Sequence, residues 1–528
     1  MANLPAARWK TVLAEQIRNR AKWDWLILLL LALLLYLLNL GGVALRDWDE
    51  STYAIAARGM YRTGDWLHPT LLGQPYLNKP PLGLWWIASS YTLLGVNEWA
   101  TRLPLAGFSA LAVPLLYGVG RQLGASQERR LPALLAALVY LTLLPVTRHG
   151  RLAMLDGTMI TWMLGMLFCL LQGRRRALWL VGVGPCFAAM ILTKGVLALL
   201  LGGILLAFLL WDGQVKLLRH PLLWIGVALG CVPVLLWYLA QADYYGADFW
   251  QIHFLNQAFS RAWDNVDQNR GPVWYYLLEL LESAWPWLLF LPGGLRLCWQ
   301  QRHTSWAKLI LSGTVLFLVT ISLMRTKLPW YVQPLYPWLA MAIGVQLAQI
   351  WQGKVKPYPR FWLAFVLLLL LVSGVGTIAA AVTGQPILLG VGGMLSLTLA
   401  GAAWCINRQH RQFIPVLLVG MYLALGVFFL SDQWVWELNE AFAVKPVASL
   451  IQTHTPAGTI VYTSFDYDRP SLNFYSERRV LALKTGDLTR LWDGQPYLLL
   501  NQQTLQSLPS QHYTRLGNAG EFTLIQPH

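Results

Sequence analysis

The residues best suited to chemistry follow directly on the first long apolar run, in the stretch Arg46-Asp47-Trp48-Asp49-Glu50-Ser51-Thr52-Tyr53. Three carboxylates within four residues at the edge of a hydrocarbon segment suit a general base or a cation ligand set. They also suit an acidic helix N-terminus, with Asp47 or Asp49 as cap and Glu50 in the first turn. One residue can serve in both ways, and both readings stay open.

Basic residues recur at similar places. Tyr76-Leu77-Asn78-Lys79-Pro80-Pro81 sets Lys79 before two prolines, in extended backbone that then enters a Trp- and Leu-rich helix near 82–94. A lysine at that depth suits a lipid phosphate, or simple snorkelling to head groups. Asp156 lies about one helical turn beyond Arg151 in an apolar run, as a functional carboxylate or half of an Arg151–Asp156 ion pair. Lys194 marks a hairpin at a span boundary. Asp243 to Asp264 carries Arg261, several aromatics and His253 as its one histidine, which reads as a packed or interfacial residue. Arg325-Thr326-Lys327-Leu328-Pro329-Trp330-Tyr331 stands at another span edge. Lys79, Arg261 and Lys327 come from separate loops on one side, and such convergence near carboxylates suits a departing phosphate.

The elements that must position these residues are membrane spans. The chain has 528 residues, 56% hydrophobic and 12% charged, with a mean hydropathy of +0.46. Soluble proteins carry roughly 25% charged residues, so a soluble enzyme is excluded. Apolar runs at 25–45, 98–120, 131–147, 153–172, 177–193, 195–211, 221–240, 273–296, 306–324, 329–350, 361–383, 386–405 and 413–430 give thirteen candidate spans. About half of the 40 Lys and Arg residues fall before the first span or in alternate connections, such as Arg174-Arg175-Arg176 and Lys354/Lys356/Arg360. Such a distribution places the N-terminus in the cytoplasm and the loops 46–97 and 241–271 outside. The net charge of +15 is thus a topology signal, and no nucleic-acid partner is expected.

The expected fold class is a polytopic α-helical membrane protein of about thirteen helices with a small C-terminal α/β domain. Residues 1–431 form the membrane domain. Residues 432–528 turn mixed in charge, with β-like runs at Thr459–Ser464, Val480–Lys484, Tyr497–Leu500 and Phe522–Ile525, and form an extracytoplasmic domain. All five cysteines lie in predicted spans or, for Cys298, just past the end of one, and none shows C-x-x-C spacing, so neither disulfides nor cysteine-bound metal are expected.

Asp49-Glu50-Ser51-Thr52-Tyr53-Ala54, Gly64-Asp65-Trp66, Tyr76-Leu77-Asn78-Lys79-Pro80, Leu155-Asp156 and Lys327-Leu328-Pro329 with Tyr331, in this layout, resemble the GT-C glycosyltransferases. Within that class the chain resembles the lipid A aminoarabinose transferases and, more distantly, the protein O-mannosyltransferases. The resemblance implies that Asp49, with Glu50, serves the acceptor hydroxyl and that Asp156 is also functional. It implies that Lys79, Arg261 and Tyr331 bind the carrier-lipid phosphate, and Lys327 and Arg151 join that set. Tyr53, Tyr76 and Asn78, inside the matching motifs, are placed as further substrate-binding positions. The aminoarabinose transferases bind a metal through a Glu before the motif Lys and a His before the loop Arg. Those positions here are Asn78 and Ala258, so no metal or other cofactor is firmly expected.

The implied activity is transfer of a sugar from a polyprenyl-phosphate donor to a lipid, glycan or protein acceptor outside the cytoplasmic membrane, by a monomer and with inversion. The alternative is a flippase or permease for a lipid-linked sugar. Against it stand the polar residues at the outer boundary rather than the midplane, and the absence of an internal repeat.

Overall fold

Helices dominate because only a helix satisfies every backbone group within one segment surrounded by hydrocarbon. The computed structural model describes the backbone of residues 6–123, 129–259, 269–435, 443–465, 467–483, 487, 491–507 and 512–528, and their side chains except at 6–21, 257–259 and 493. Among the described residues, seven helices are long and apolar enough to cross a membrane. The number is eight if Arg130–Thr142 and Leu144–Arg151, bent by 63°, count as one span. Leu82–Leu94, Leu197–Trp211 and Phe413–Phe429 are apolar but shorter.

Several expected spans break where proline removes a backbone donor and crowds the preceding turn. The stretch 273–296 becomes Tyr275–Ser283, a 3-10 turn at Trp287–Phe290 and Leu291–Gln300, with Pro286 and Pro292 at the joints. The stretch 329–350 begins as a 3-10 helix, Pro329–Leu335, and turns α-helical at Tyr336–Trp351.

The chain folds as two compact units; one division falls between Ser431 and Asp432, and the unit that holds Asp432–His528 also takes in Asn39–Tyr76 and Leu84–Pro104. The larger comprises Met1–Leu38, Leu77–Gly83 and Leu105–Ser431. Its helix Arg360–Val382 is apolar all round, and Leu371, Val375 and Ile378 remain 60–67% exposed, as suits a helix facing lipid. Residues expected on the cytoplasmic side are tied together. Asp24 accepts from Arg130 at 2.6 and 2.7 Å and from the Tyr117 hydroxyl at 2.5 Å. Asp212 likewise holds Arg174 at 2.9 Å and Ser305 at 2.7 Å.

The smaller unit joins Asn39–Tyr76 and Leu84–Pro104 to Asp432–His528. Its first part holds the helix Asp49–Thr63 and a short hairpin of β1 (Thr70–Leu71) and β2 (Gln74–Pro75). The C-terminal part builds a sheet from β3 (Ile460–Thr463), β4 (Arg479–Ala482), β5 (Tyr497–Asn501), β6 (Tyr513–Ala519) and β7 (Phe522–Pro527). The order is β4-β3-β5-β7-β6; β3 runs parallel to β4 and β5, and β7 antiparallel to β5 and β6. Alternation along β5 sends Leu499 into a core with Val461, Leu472 and Ile451, and Leu498 and Leu500 into another with Trp492 and Ile525.

Buried polar contacts explain why the first loop belongs with the C-terminal residues. Arg58 donates to the Phe474 carbonyl at 2.7 Å, and Tyr475 Oη donates to Glu98 at 3.0 Å and accepts from Leu45 N at 2.7 Å. Arg62 pairs with Glu477 at 2.8 Å.

Candidate active site

In the larger unit a polar cluster forms around the start of the Leu155–Gly173 helix. Asp156, 4% exposed in its first turn, accepts from Lys194 Nζ at 2.5 Å. Its partner is therefore Lys194 and not Arg151, which corrects the one-turn pairing read from spacing. Gly83 allows the Lys79 turn to approach, since a Cβ there would lie 2.3 Å from a Leu155 methyl. Gly195 follows Lys194 with φ +56°, a conformation that side chains rarely adopt. A Cβ on it would sit 3.7 Å from His253 Nε2 and 3.9 Å from both Pro80 Cγ and Tyr238 Oη. The Lys79-Pro80 turn, the Lys194-Gly195 corner and His253 thus share one neighbourhood.

His253 is 5% exposed and locked from both sides. The Leu77 carbonyl, 2.9 Å from Nδ1, can only accept, so Nδ1 carries the hydrogen. Nε2 then accepts from the Tyr238 hydroxyl at 3.0 Å. Burial pushes the imidazole pKa below its ordinary value, the bond to Leu77 opposes this, and the charge of Lys79 lowers it further. Both ring nitrogens are thereby occupied, Asn78 is an exposed amide, and no group of three metal-ligating side chains exists among the described residues. These residues do not fit a divalent metal.

Two expected phosphate ligands are engaged elsewhere. Arg151, 0% exposed, donates to the carbonyls of Leu35 (2.5 Å), Tyr36 (3.1 Å) and Leu38 (2.6 Å), and its guanidinium lies 4.1 Å from the Phe429 ring centre. It closes the end of the Ala6–Leu37 helix, whose last carbonyls have no partner within the helix. Lys327, 4% exposed, does the same for Ser305–Leu323 through Ile321 O (3.0 Å) and Ser322 O (2.6 Å), and burial lowers its ammonium pKa. Tyr331 is half-buried in the 3-10 turn that follows. Arg261 lies outside the described residues.

In the smaller unit the acidic motif divides its labour. Asp47 accepts from Arg469 at 2.6 and 2.7 Å and from Ser471 N at 2.9 Å. Glu50, fully buried, takes both Nε and Nη2 of Arg102 at 2.8 Å and the Arg46 N–H at 2.7 Å. Arg102 also donates to the carbonyls of Leu40, Val43 and Ala44 at 2.7–2.9 Å. Glu50 is therefore held by Arg102 in a buried two-point ion pair. Asp49, at the first position of its helix and half-buried, has no side-chain hydrogen bond or ion pair among the described residues. Tyr53 and Tyr76 are 1% and 4% exposed. Reading the sequence missed Arg102 and took Lys194 only as the mark of a hairpin. Their signal was there, a single cation in an apolar run, but their partners lie 52 and 38 residues away.

Comparisons with known proteins fix the class. The profile of the dolichyl-phosphate-mannose-protein mannosyltransferase family matches residues 78–238. The crystal structure of ArnT from Cupriavidus metallidurans bound to undecaprenyl phosphate superposes with a TM-score of 0.76 at 22% identity, covering 95% of this chain and 98% of that one. The Archaeoglobus fulgidus oligosaccharyltransferase follows at a TM-score of 0.51 and 11% identity, over 88% of this chain and 64% of that one. The fold is that of a multi-pass GT-C membrane protein.

Sequence likeness narrows this further. The undecaprenyl phosphate-alpha-4-amino-4-deoxy-L-arabinose arabinosyl transferase 1 of Pseudomonas fluorescens is 31% identical over 413 residues, 76% of this chain and 71% of that protein. The corresponding transferase of Pectobacterium carotovorum is 34% identical over 334 residues, 61% and 58% of the two chains. The chain belongs to this arabinosyl transferase family and is an integral membrane glycosyltransferase. The flippase alternative falls.

Proposed function

We propose that the chain moves a sugar from a polyprenyl-phosphate donor, of the undecaprenyl type named for its relatives, to a hydroxyl or phosphate of a lipid, glycan or protein acceptor. The observation that carries this is the buried Lys194–Asp156 pair beside the Lys79-Pro80 turn, where fixed cations meet a loop ready for a phosphate. Lys79, Arg261 and Tyr331 hold the leaving phosphate, and Lys194 and Asp156 fix the surrounding field. As the C1–oxygen bond to phosphate breaks, its electron pair leaves with the carrier lipid. The acceptor oxygen closes the new bond on the opposite face and its proton passes to Asp49. Arg151, Lys327 and Glu50 act by positioning, and Tyr53, Tyr76 and Asn78 line the substrate. Supporting the layout are the alternating basic clusters: thirteen spans when broken helices are counted, N-terminus in the cytoplasm, first loop and C-terminal domain outside, one chain acting alone.

The test is mass spectrometry of envelope lipids and glycans from deletion cells carrying wild type, Asp49→Asn or Lys79→Ala. Both variants are expected to lack one sugar and to accumulate undecaprenyl-phosphate sugar, with Lys79→Ala slowed roughly 10²–10³-fold. Wild-type levels of product with Asp49→Asn would overturn the assignment of Asp49.

A further inference from the structure

Between the Asp47 latch and the Glu50 clamp, the backbone at Trp48 takes φ +64° and ψ −117°. A bulky side chain in that region is strained and persists only where its surroundings enforce it. They do so on both sides. Asp47 is tied to Arg469 and Ser471, the Arg46 N–H to Glu50, and the Trp48 carbonyl accepts from Thr52 N at 2.9 Å.

This enforced backbone turns the indole outward. Trp48 stacks on Tyr467 with ring centres 5.2 Å apart and planes 27° from parallel, yet the two residues stay 53% and 40% exposed. Tyr467 belongs to the connection after β3, two residues before Arg469, so the C-terminal domain supplies half of the pair and the latch that holds it. The next residue after Trp48 is Asp49, whose carboxylate has no partner among the described residues.

We infer that Trp48 and Tyr467 form the acceptor platform, on which a pyranose ring of a glycolipid or glycan acceptor lies with its C–H face against the aromatic surface. Aromatic rings offer a large, rigid apolar face, and the Asp49 carboxylate one residue away meets the hydroxyl rim of the same sugar. The assignment rests on the proposed transferase reaction and names the class of acceptor within it: a sugar-bearing molecule and not a protein hydroxyl.

The experiment compares Trp48→Ala, Trp48→Phe, Trp48→Leu, Tyr467→Ala and Asp49→Asn in deletion cells. The readout is the ratio of glycosylated product to accumulated undecaprenyl-phosphate sugar, the product being whichever envelope molecule is missing from Asp49→Asn cells. Affinity of the purified full chains for undecaprenyl phosphate serves as the second readout. Trp48→Ala, Trp48→Leu and Tyr467→Ala are expected to lower the ratio about tenfold, and Trp48→Phe no more than about twofold, with affinity for the lipid unchanged. A wild-type ratio in Trp48→Ala overturns the platform. So does full rescue by leucine, which would make Trp48 an interfacial membrane anchor, or a parallel loss of undecaprenyl phosphate affinity. An unaffected Asp49→Asn strain brings down the proposed role of Asp49 and, with it, the reading on which the platform rests. An inactive Asp49→Asn beside an intact Trp48→Ala brings down the platform alone.

Discussion

Asp156 is a carboxylate 4% exposed in an apolar helix, and it is paired with Lys194 at 2.5 Å. Removing one partner of such a pair strands the other, at a cost of about 3–5 kcal/mol. Lys194→Met is expected to lower the thermal unfolding temperature in detergent markedly, while the double variant Lys194→Met/Asp156→Leu recovers most of the stability and none of the activity. The same logic applies to Glu50→Gln, which leaves the Arg102 guanidinium without its anion; the expected outcome is loss of folded protein rather than a slow enzyme, read by size-exclusion yield. His253 sets a pH dependence. Its pKa is depressed in the folded state, so the unfolded chain binds the extra proton first. Its contribution is complete above the unfolded value near 6.5 and falls away as the pH drops from there through the folded pKa. Unfolding temperature measured from pH 8 to 5 should decline for wild type more steeply than for His253→Phe. Much of this was visible in the sequence: Asp49, Lys79 and Asp156 stand out as polar groups beside hydrocarbon. Which carboxylate binds which cation was not, because Glu50–Arg102 and Asp156–Lys194 join residues far apart in the chain.

Among elements, long uniform apolar runs were read to within a few residues, as with Glu98–Gln122, Leu155–Gly173 and Arg360–Val382. Hydropathy alone misjudged runs that carry proline, where the chain stays apolar but the α-helix is interrupted at Pro286 or replaced by a 3-10 turn around Pro334. In the C-terminal sheet β3, β4, β5 and β7 were legible from their β-branched and leucine runs. β6 was not, because Tyr513–Ala519 is polar and lies at the sheet edge, where pairing to β7 and not burial makes it a strand. The Lys194-Gly195 corner joins two elements, and its backbone at φ +56° carries the next prediction. Gly195→Ala is expected to cost on the order of 1–3 kcal/mol of stability and to reduce transfer, because the strain falls on the residue beside Lys194. Thermal unfolding and product yield check both halves.

At the scale of the whole molecule, the division into units changes what a truncation means. A separable tail would leave the membrane part intact when residues 432–528 are deleted. In the structure those residues hold Asp47, Arg58 and Glu98 by buried or half-buried contacts within one compact unit. The deletion is therefore expected to destroy activity and to make the first loop sensitive to protease, whereas the same loop in the full chain resists it.

The Asp47–Arg469 latch closes over 422 residues, and this bears on how the protein comes into being. Domains are completed as the ribosome supplies them, at roughly 5–20 residues per second, so Asp47 waits about 20–80 s for its partner. The loop made almost first is thus the one finished last. A newborn chain is expected to hold its membrane helices long before the Asp47–Arg469 latch can close, and chains stopped short of Arg469 are expected to show no transfer when their products are assayed.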